Sequence, residues 1–123
     1  MNRKLFLALA LLLAPACRTA DPYDADDPRP QGALLVVQNQ NFADIDVFAV
    51  GDGLATRVGT VTGNSTTRFA ISESLRSSQQ LRIVGTPIGG NGRATTGPIQ
   101  VQGGETITFV ISPTLRGSSV TIR

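Results

Sequence analysis

From Ala33 onward, short apolar or alternating runs recur at roughly ten-residue intervals, each closed by Gly, Asn, Asp, Ser or Pro. Ala33 to Val37 is a continuous apolar run, as expected for a strand that is central or buried on both sides. Asn39, Gln40 and Asn41 then make a turn. Asp44 to Val50 alternates, with Ile45, Val47 and Ala49 on one face and Asp44, Asp46 and Phe48 on the other. Gly51-Asp52-Gly53 reads as a hairpin, because Gly and Asp tolerate positive φ. Leu54 to Val61 returns as the partner strand, and Gly63-Asn64 turns again. Thr66 to Ile71 places Phe69 and Ile71 on one face with Thr67, and Ser72 to Leu75 suits a single helical turn. Leu81, Ile83 and Gly85 mark the next strand, ended by Thr86-Pro87. Short strands are expected over Arg93 to Thr96 and Pro98 to Gln102. Glu105 to Ile111 alternates again, and Ser119 to Ile122 closes the chain.

Seven or eight strands in this rhythm predict an all-β fold, a single small antiparallel β-sandwich. A small barrel is the runner-up. An immunoglobulin-like topology fits the strand count, but no Cys–Trp–Cys set is present for a disulfide-linked immunoglobulin domain. No sustained 3.6-residue apolar periodicity occurs outside the first 16 residues, which argues against parallel α/β folds.

The first residues follow another logic. Arg3 and Lys4 precede an apolar run of ten residues, Leu5 to Ala14, which Pro15 closes. A transmembrane helix needs about 20 apolar residues, so this run suits the apolar middle of a cleaved signal peptide over residues 1–16. Ala14-Pro15-Ala16 satisfies the small-x-small rule for cleavage, and Cys17, the only cysteine, follows it directly. Ala14-Pro15-Ala16-Cys17 resembles an atypical lipobox of bacterial lipoprotein precursors: Ala16 and Cys17 match, Ala14 stands where Leu is usual, and Pro15 where Ser, Thr or Ala is usual. That resemblance implies a diacylglyceryl thioether on Cys17 and hence attachment to the membrane. It also implies outer-membrane placement, since Arg18 occupies the position where Asp would favour the inner membrane. An unpaired exposed thiol is a liability outside the cell, which supports the same reading. The folded part is similar, in general arrangement, to small exported β domains of bacteria, and that likeness carries no activity with it.

Residues 17–31 form the expected lipid-anchored tether, with three prolines and four aspartates between Arg18 and Gln31. Such a composition opposes helix, strand and core, and favours extended chain with a reach on the order of 40 Å. Asp24-Ala25-Asp26-Asp27 lacks the formed loop that Ca²⁺ needs and reads as a solvated spacer, with Tyr23 an ordinary linker residue. The domain is expected over residues 32–123. There, seven arginines against Asp44, Asp46, Asp52, Glu73 and Glu105 leave a net charge of +2. The arginines are scattered, so no nucleic-acid surface is expected.

Beyond Lys4 and Cys17 the chain has no lysine or cysteine, and it has no histidine or tryptophan anywhere. Ser–His triads, thiol nucleophiles, Schiff-base lysines and His-based zinc sites are therefore unavailable to the domain. No enzyme activity and no cofactor are expected. Asp44, Asp46 and Asp52 are the best candidates for a metal, and an exposed strand face with a hairpin-tip Asp explains them better. Gly89-Gly90-Asn91-Gly92 lacks the Lys-Ser/Thr of a phosphate loop and reads as a turn. Of the four domain phenylalanines, Phe69 and Phe109 are expected in the core. Phe42 and Phe48, with Asn91, are the expected interaction surface, using loops near Phe42, Asp52 and Asn91. The expected function is a lipid-anchored, non-enzymatic envelope protein that presents a β-sandwich to another envelope protein or polymer. The alternative, a small-ligand or carbohydrate-binding module, lacks the Trp and Tyr that usually stack on sugars.

Overall fold

The computed structural model describes residues 32–123. The expected signal peptide over residues 1–16, Cys17 and the expected tether to Gln31 lie outside the described residues. Eight strands and one helical turn follow in order: β1 (Ala33–Asn39), β2 (Ile45–Gly51), β3 (Leu54–Val61), β4 (Thr66–Ile71), α1 (Glu73–Arg76), β5 (Arg82–Pro87), β6 (Ala94–Thr95), β7 (Thr106–Ile111) and β8 (Ser119–Ile122). They build two open four-stranded sheets, ordered β4-β1-β7-β8 and β3-β2-β5-β6. The architecture is thus a small all-β sandwich and not a barrel. All strand pairs are antiparallel except β1 with β7, which run parallel side by side.

Period-two alternation sets the core. Leu35 and Val37 from β1, Ile45 and Val47 from β2, Ile83 from β5 and Ile107, Phe109 and Ile111 from β7 all point inward and exclude solvent. The continuous run of β1 is central, as expected, but Leu34 and Val36 remain half-buried on the outer face. Strands β4 and β7 flank β1 in the sheet, and among the described residues no element lies over that face.

The hairpin between β2 and β3 closes at Gly51 opposite Leu54, with Asp52 at φ 51° and Gly53 at φ 81°. Positive φ at both central residues is the turn whose twist matches the strands it joins. Further along, the register slips so that Val47 faces Gly59 and Phe48 faces Arg57, leaving Val58 as the extra residue of a bulge. A side chain at Gly59 would strike the Phe69 ring, so that glycine lets Phe69 lie across the gap between the edge strands β3 and β4. Phe69 is therefore half-buried against the core, whereas Phe109 is fully enclosed.

Residues Pro98 to Gln102 do not form the expected strand. Only a bridge between Leu81 and Ile99 survives, because Gly97 takes φ 70° and Pro98 brings no N–H to a ladder. Ile99 and Val101 are nevertheless buried. The expected helical turn is present, with the Ser72 hydroxyl accepting the Leu75 N–H at 3.4 Å.

Strand direction sorts the connections between two ends. Residues 40–44, 62–65, 88–93 and 112–118 gather at one end, the loop end. Gly32, the Asp52 hairpin, α1 and residues 96–105 lie at the opposite end, the base.

Candidate functional site

The loop end is assembled around two buried asparagines. Asn39 continues the inward parity of Ala33, Leu35 and Val37, and its side chain is 2% exposed. Its Nδ2 donates to the carbonyl of Ala43 at 2.8 Å and, more loosely, to those of Thr62 at 3.3 Å and Val61 at 3.4 Å. Its Oδ1 accepts the Asn41 N–H at 2.9 Å. Asn41 in turn accepts the Ala43 N–H and donates to the Pro113 carbonyl, both at 2.8 Å. The pair therefore ties the β1–β2 loop to the end of β3 and to the β7–β8 loop. Buried polar groups so completed specify one backbone conformation.

Backbone bonds fasten the remaining contacts. Asn64 N–H donates to the Asn41 carbonyl, and Ile88 N–H donates to the Asp44 carbonyl, each at 2.9 Å. The Asp44 carboxylate accepts the Gly63 N–H at 3.0 Å. Gly63 lies so close to the Phe42 backbone that no Cβ would fit. On this fixed loop Phe42 stands 86% exposed, and Ile88, on the loop bonded to Asp44, is 54% exposed. Arg93 and Arg116 are exposed at the same end, where a Cβ at Gly92 would come within 3.3 Å of the Leu115 side chain.

The expected site residues separate in space. Phe42 and Asn91 share the loop end, but Asp52 lies at the base, so the three loops read as one contact region are two. Phe48 projects from the middle of β2 onto the outer face of its sheet, half-buried with Arg57 opposite on β3 and Val84 on β5. The candidate metal aspartates are likewise apart. Asp44 precedes β2 at the loop end, Asp46 sits on the outer sheet face, and Asp52 accepts the Gln79 N–H at the base, at 3.3 Å. Among the described residues no group of three His, Cys, Asp or Glu side chains comes together.

Asp46 is occupied by protein partners. Its Oδ1 accepts from the Thr60 hydroxyl at 2.6 Å and from Arg57 at 2.8 Å. The Thr60 hydrogen bond and then the Arg57 guanidinium hold its carboxyl below the usual carboxylate range. A lowered folded value stabilises the protein above the unfolded pKa, and that contribution is lost as pH falls through the folded one. The urea midpoints of wild type and Asp46→Asn should therefore differ most at neutral pH and converge on acidification. A difference that does not change with pH would refute this account.

The base carries a shallow depression of about 250 Å³ lined by Val50, Asp52, Gly53, Gln79, Gln80 and Arg82. It is smaller than ordinary ligand pockets, which run from about 300 Å³, and it offers no aromatic surface. Sequence reasoning missed Asn39, Asn41, Ile88, Arg93 and Arg116. The parity of β1 could have flagged Asn39, since position 39 falls on the buried face.

Two open sheets face to face, with loops crowded at one end, define a small all-β sandwich module. No family model and no curated protein matches the chain. Among solved structures, one described as the NMR structure of the protein from Eubacterium rectale is similar at a TM-score of 0.49 and 18% identity. The match covers 80% of this chain and 93% of that one.

Proposed function

We propose that the chain is a lipid-anchored, non-enzymatic protein of the cell envelope that presents the loop end of its sandwich to a partner. The observation that carries this reading is Phe42, held 86% exposed on a loop fixed by two buried asparagines. An apolar ring kept in water is unfavourable unless something covers it, and a rigid loop spares the ordering that binding would otherwise demand. The polarity of the domain supports the same reading. The chain leading from Cys17 joins at Gly32, at the base, so the proposed anchor and the exposed Phe42 lie at opposite ends. A residue inventory without histidine, or any lysine or cysteine beyond Lys4 and Cys17, supports the non-enzymatic part.

Two measurements test the proposal on membrane-extracted full-length protein. Its intact mass should show a chain starting at Cys17 with acyl modification, and a free Cys17 thiol would overturn the anchor. A photocrosslinking residue at position 42 should give adducts in cells, whereas one at Leu54, exposed at the base, should not. Equal labelling at the two positions would overturn the assignment of the loop end.

A further inference from the structure

We propose that the surface met by the loop end is an anionic lipid bilayer, with Phe42 and Ile88 entering the interface while Arg93 and Arg116 meet headgroup phosphates. This rests on the reading that the loop end is the contact surface, and it names the chemistry of what is contacted. Phe42 and Ile88 rise from two loops joined by the Ile88 N–H to Asp44 carbonyl bond. Both are largely exposed to solvent. The depression beside them, lined by Gln38, Asn39, Gln40, Asn64, Ser65 and Thr66, is polar. A protein partner needs an extended complementary surface, whereas the interfacial zone of a bilayer accepts isolated apolar side chains at any position.

The loop end carries a small positive excess that the base does not. At the base Asp52, Glu73 and Glu105 are balanced by Arg76, Arg82 and Arg123, and Asp46 is paired with Arg57 on a sheet face. Among the described residues the one acid at the loop end is Asp44, which accepts the Gly63 N–H. Arg93 and Arg116 are exposed there, and neither forms an ion pair among the described residues. Arginines beside exposed apolar side chains suit an anionic headgroup layer. The three contributing loops are joined by the Ile88 N–H to the Asp44 carbonyl and by the Asn41 side chain to the Pro113 carbonyl, so the four side chains ride on one connected platform. Reach permits the contact. Strand β1 spans about 23 Å from base to loop end, and the segment before Gly32 can extend on the order of 40 Å. The loop end can therefore return to the bilayer that holds the lipid on Cys17, giving two points of attachment where one alone would leave the domain swinging.

The chain has no tryptophan, so Phe42→Trp introduces a single tryptophan at the point of contact, which can be excited apart from Tyr23. The test uses the processed chain from residue 17 with Cys17→Ser, which removes the lipid. With phosphatidylglycerol vesicles the emission should shift to the blue, be quenched by brominated acyl chains, and revert in high salt. In the chain with Phe42 intact, Phe42→Ser with Ile88→Ser should reduce co-sedimentation about tenfold or more. Arg93→Gln with Arg116→Gln should abolish the preference for phosphatidylglycerol over phosphatidylcholine vesicles. No blue shift, or binding that survives the Phe42→Ser and Ile88→Ser changes, would overturn the inference. A protein adduct at position 42 in cells, without vesicle binding, would overturn it while leaving the loop end as the contact surface.

Discussion

Replacing Phe109 by alanine should lower the folding stability by about 3–5 kcal/mol. Phe109 is the largest of the fully enclosed side chains, at 0% exposure, and sits on β7 between Val37 of β1 and Val120 of β8. It thus fills the middle of the sandwich from a central strand, where neighbours on both sides are fixed by ladders and cannot collapse into the space. Residues 32–123 make a domain whose whole stability is of order 5–14 kcal/mol, so the loss is a large share of it. Urea unfolding should show a much lower midpoint with little change in slope. Phe42→Ala is the matched control: the same atoms leave a site 86% exposed, and the change should stay within about 0.5 kcal/mol. A costly Phe42→Ala would mean that the ring supports the fold, and the binding reading would lose its main support.

Asn39→Ala should cost about 2–4 kcal/mol by a different route. The carbonyls of Ala43, Val61 and Thr62 and the N–H of Asn41 would lose their common partner in a buried place. The damage should be local as well as global. Amide hydrogen exchange should quicken at Asn41, Ala43 and Asn64, which the same cluster fastens, before it quickens on β7. Asn39→Asp separates the hydrogen bonds from shape. It keeps the volume but turns a donor into a second acceptor facing three carbonyls. At neutral pH it should cost more than alanine. Burial and those carbonyls would raise the folded pKa of the new carboxyl, so part of the loss should return on acidification, as the group protonates and donates again. Failure of Asn39→Asp to recover at low pH would sink the assigned donor role.

Much of the fold was legible because local chemistry decided it. Gly51-Asp52-Gly53 can make few things other than a two-residue hairpin, Ser72 caps its turn, and β7 alternates without interruption. Alternation tells which face of a strand is buried, but not which strand lies beside it, and so the pairing of β1 with β7 was hidden. Pro98 to Gln102 looked like a strand because Ile99 and Val101 are two apart. They are buried, yet Gly97 and Pro98 break the ladder before it forms. The site was harder to see than the fold. Phe42 is exposed because carbonyls at Val61, Thr62 and Pro113, far away in sequence, hold its loop outward through Asn39 and Asn41. A run reading Asn-Gln-Asn looks like any polar turn until those partners are in place. Asp52 was grouped with Phe42 because both sit in turns, but strand direction puts successive turns at opposite ends.

The parallel pair of β1 with β7 also bears on the order in which the domain can form. Leu34 must meet Thr106, roughly 70 residues later, before the central strand of its sheet has neighbours on both sides. A chain delivered N-terminus first can close the β2–β3 hairpin early. It cannot complete the sheet around β1 until nearly its last strand has arrived. Throughout that interval the Leu34 to Val37 edge stays open and ready to stick to any other unpaired strand. Completion of the fold is thereby placed last by topology alone, with β7 and β8 acting as the clasp.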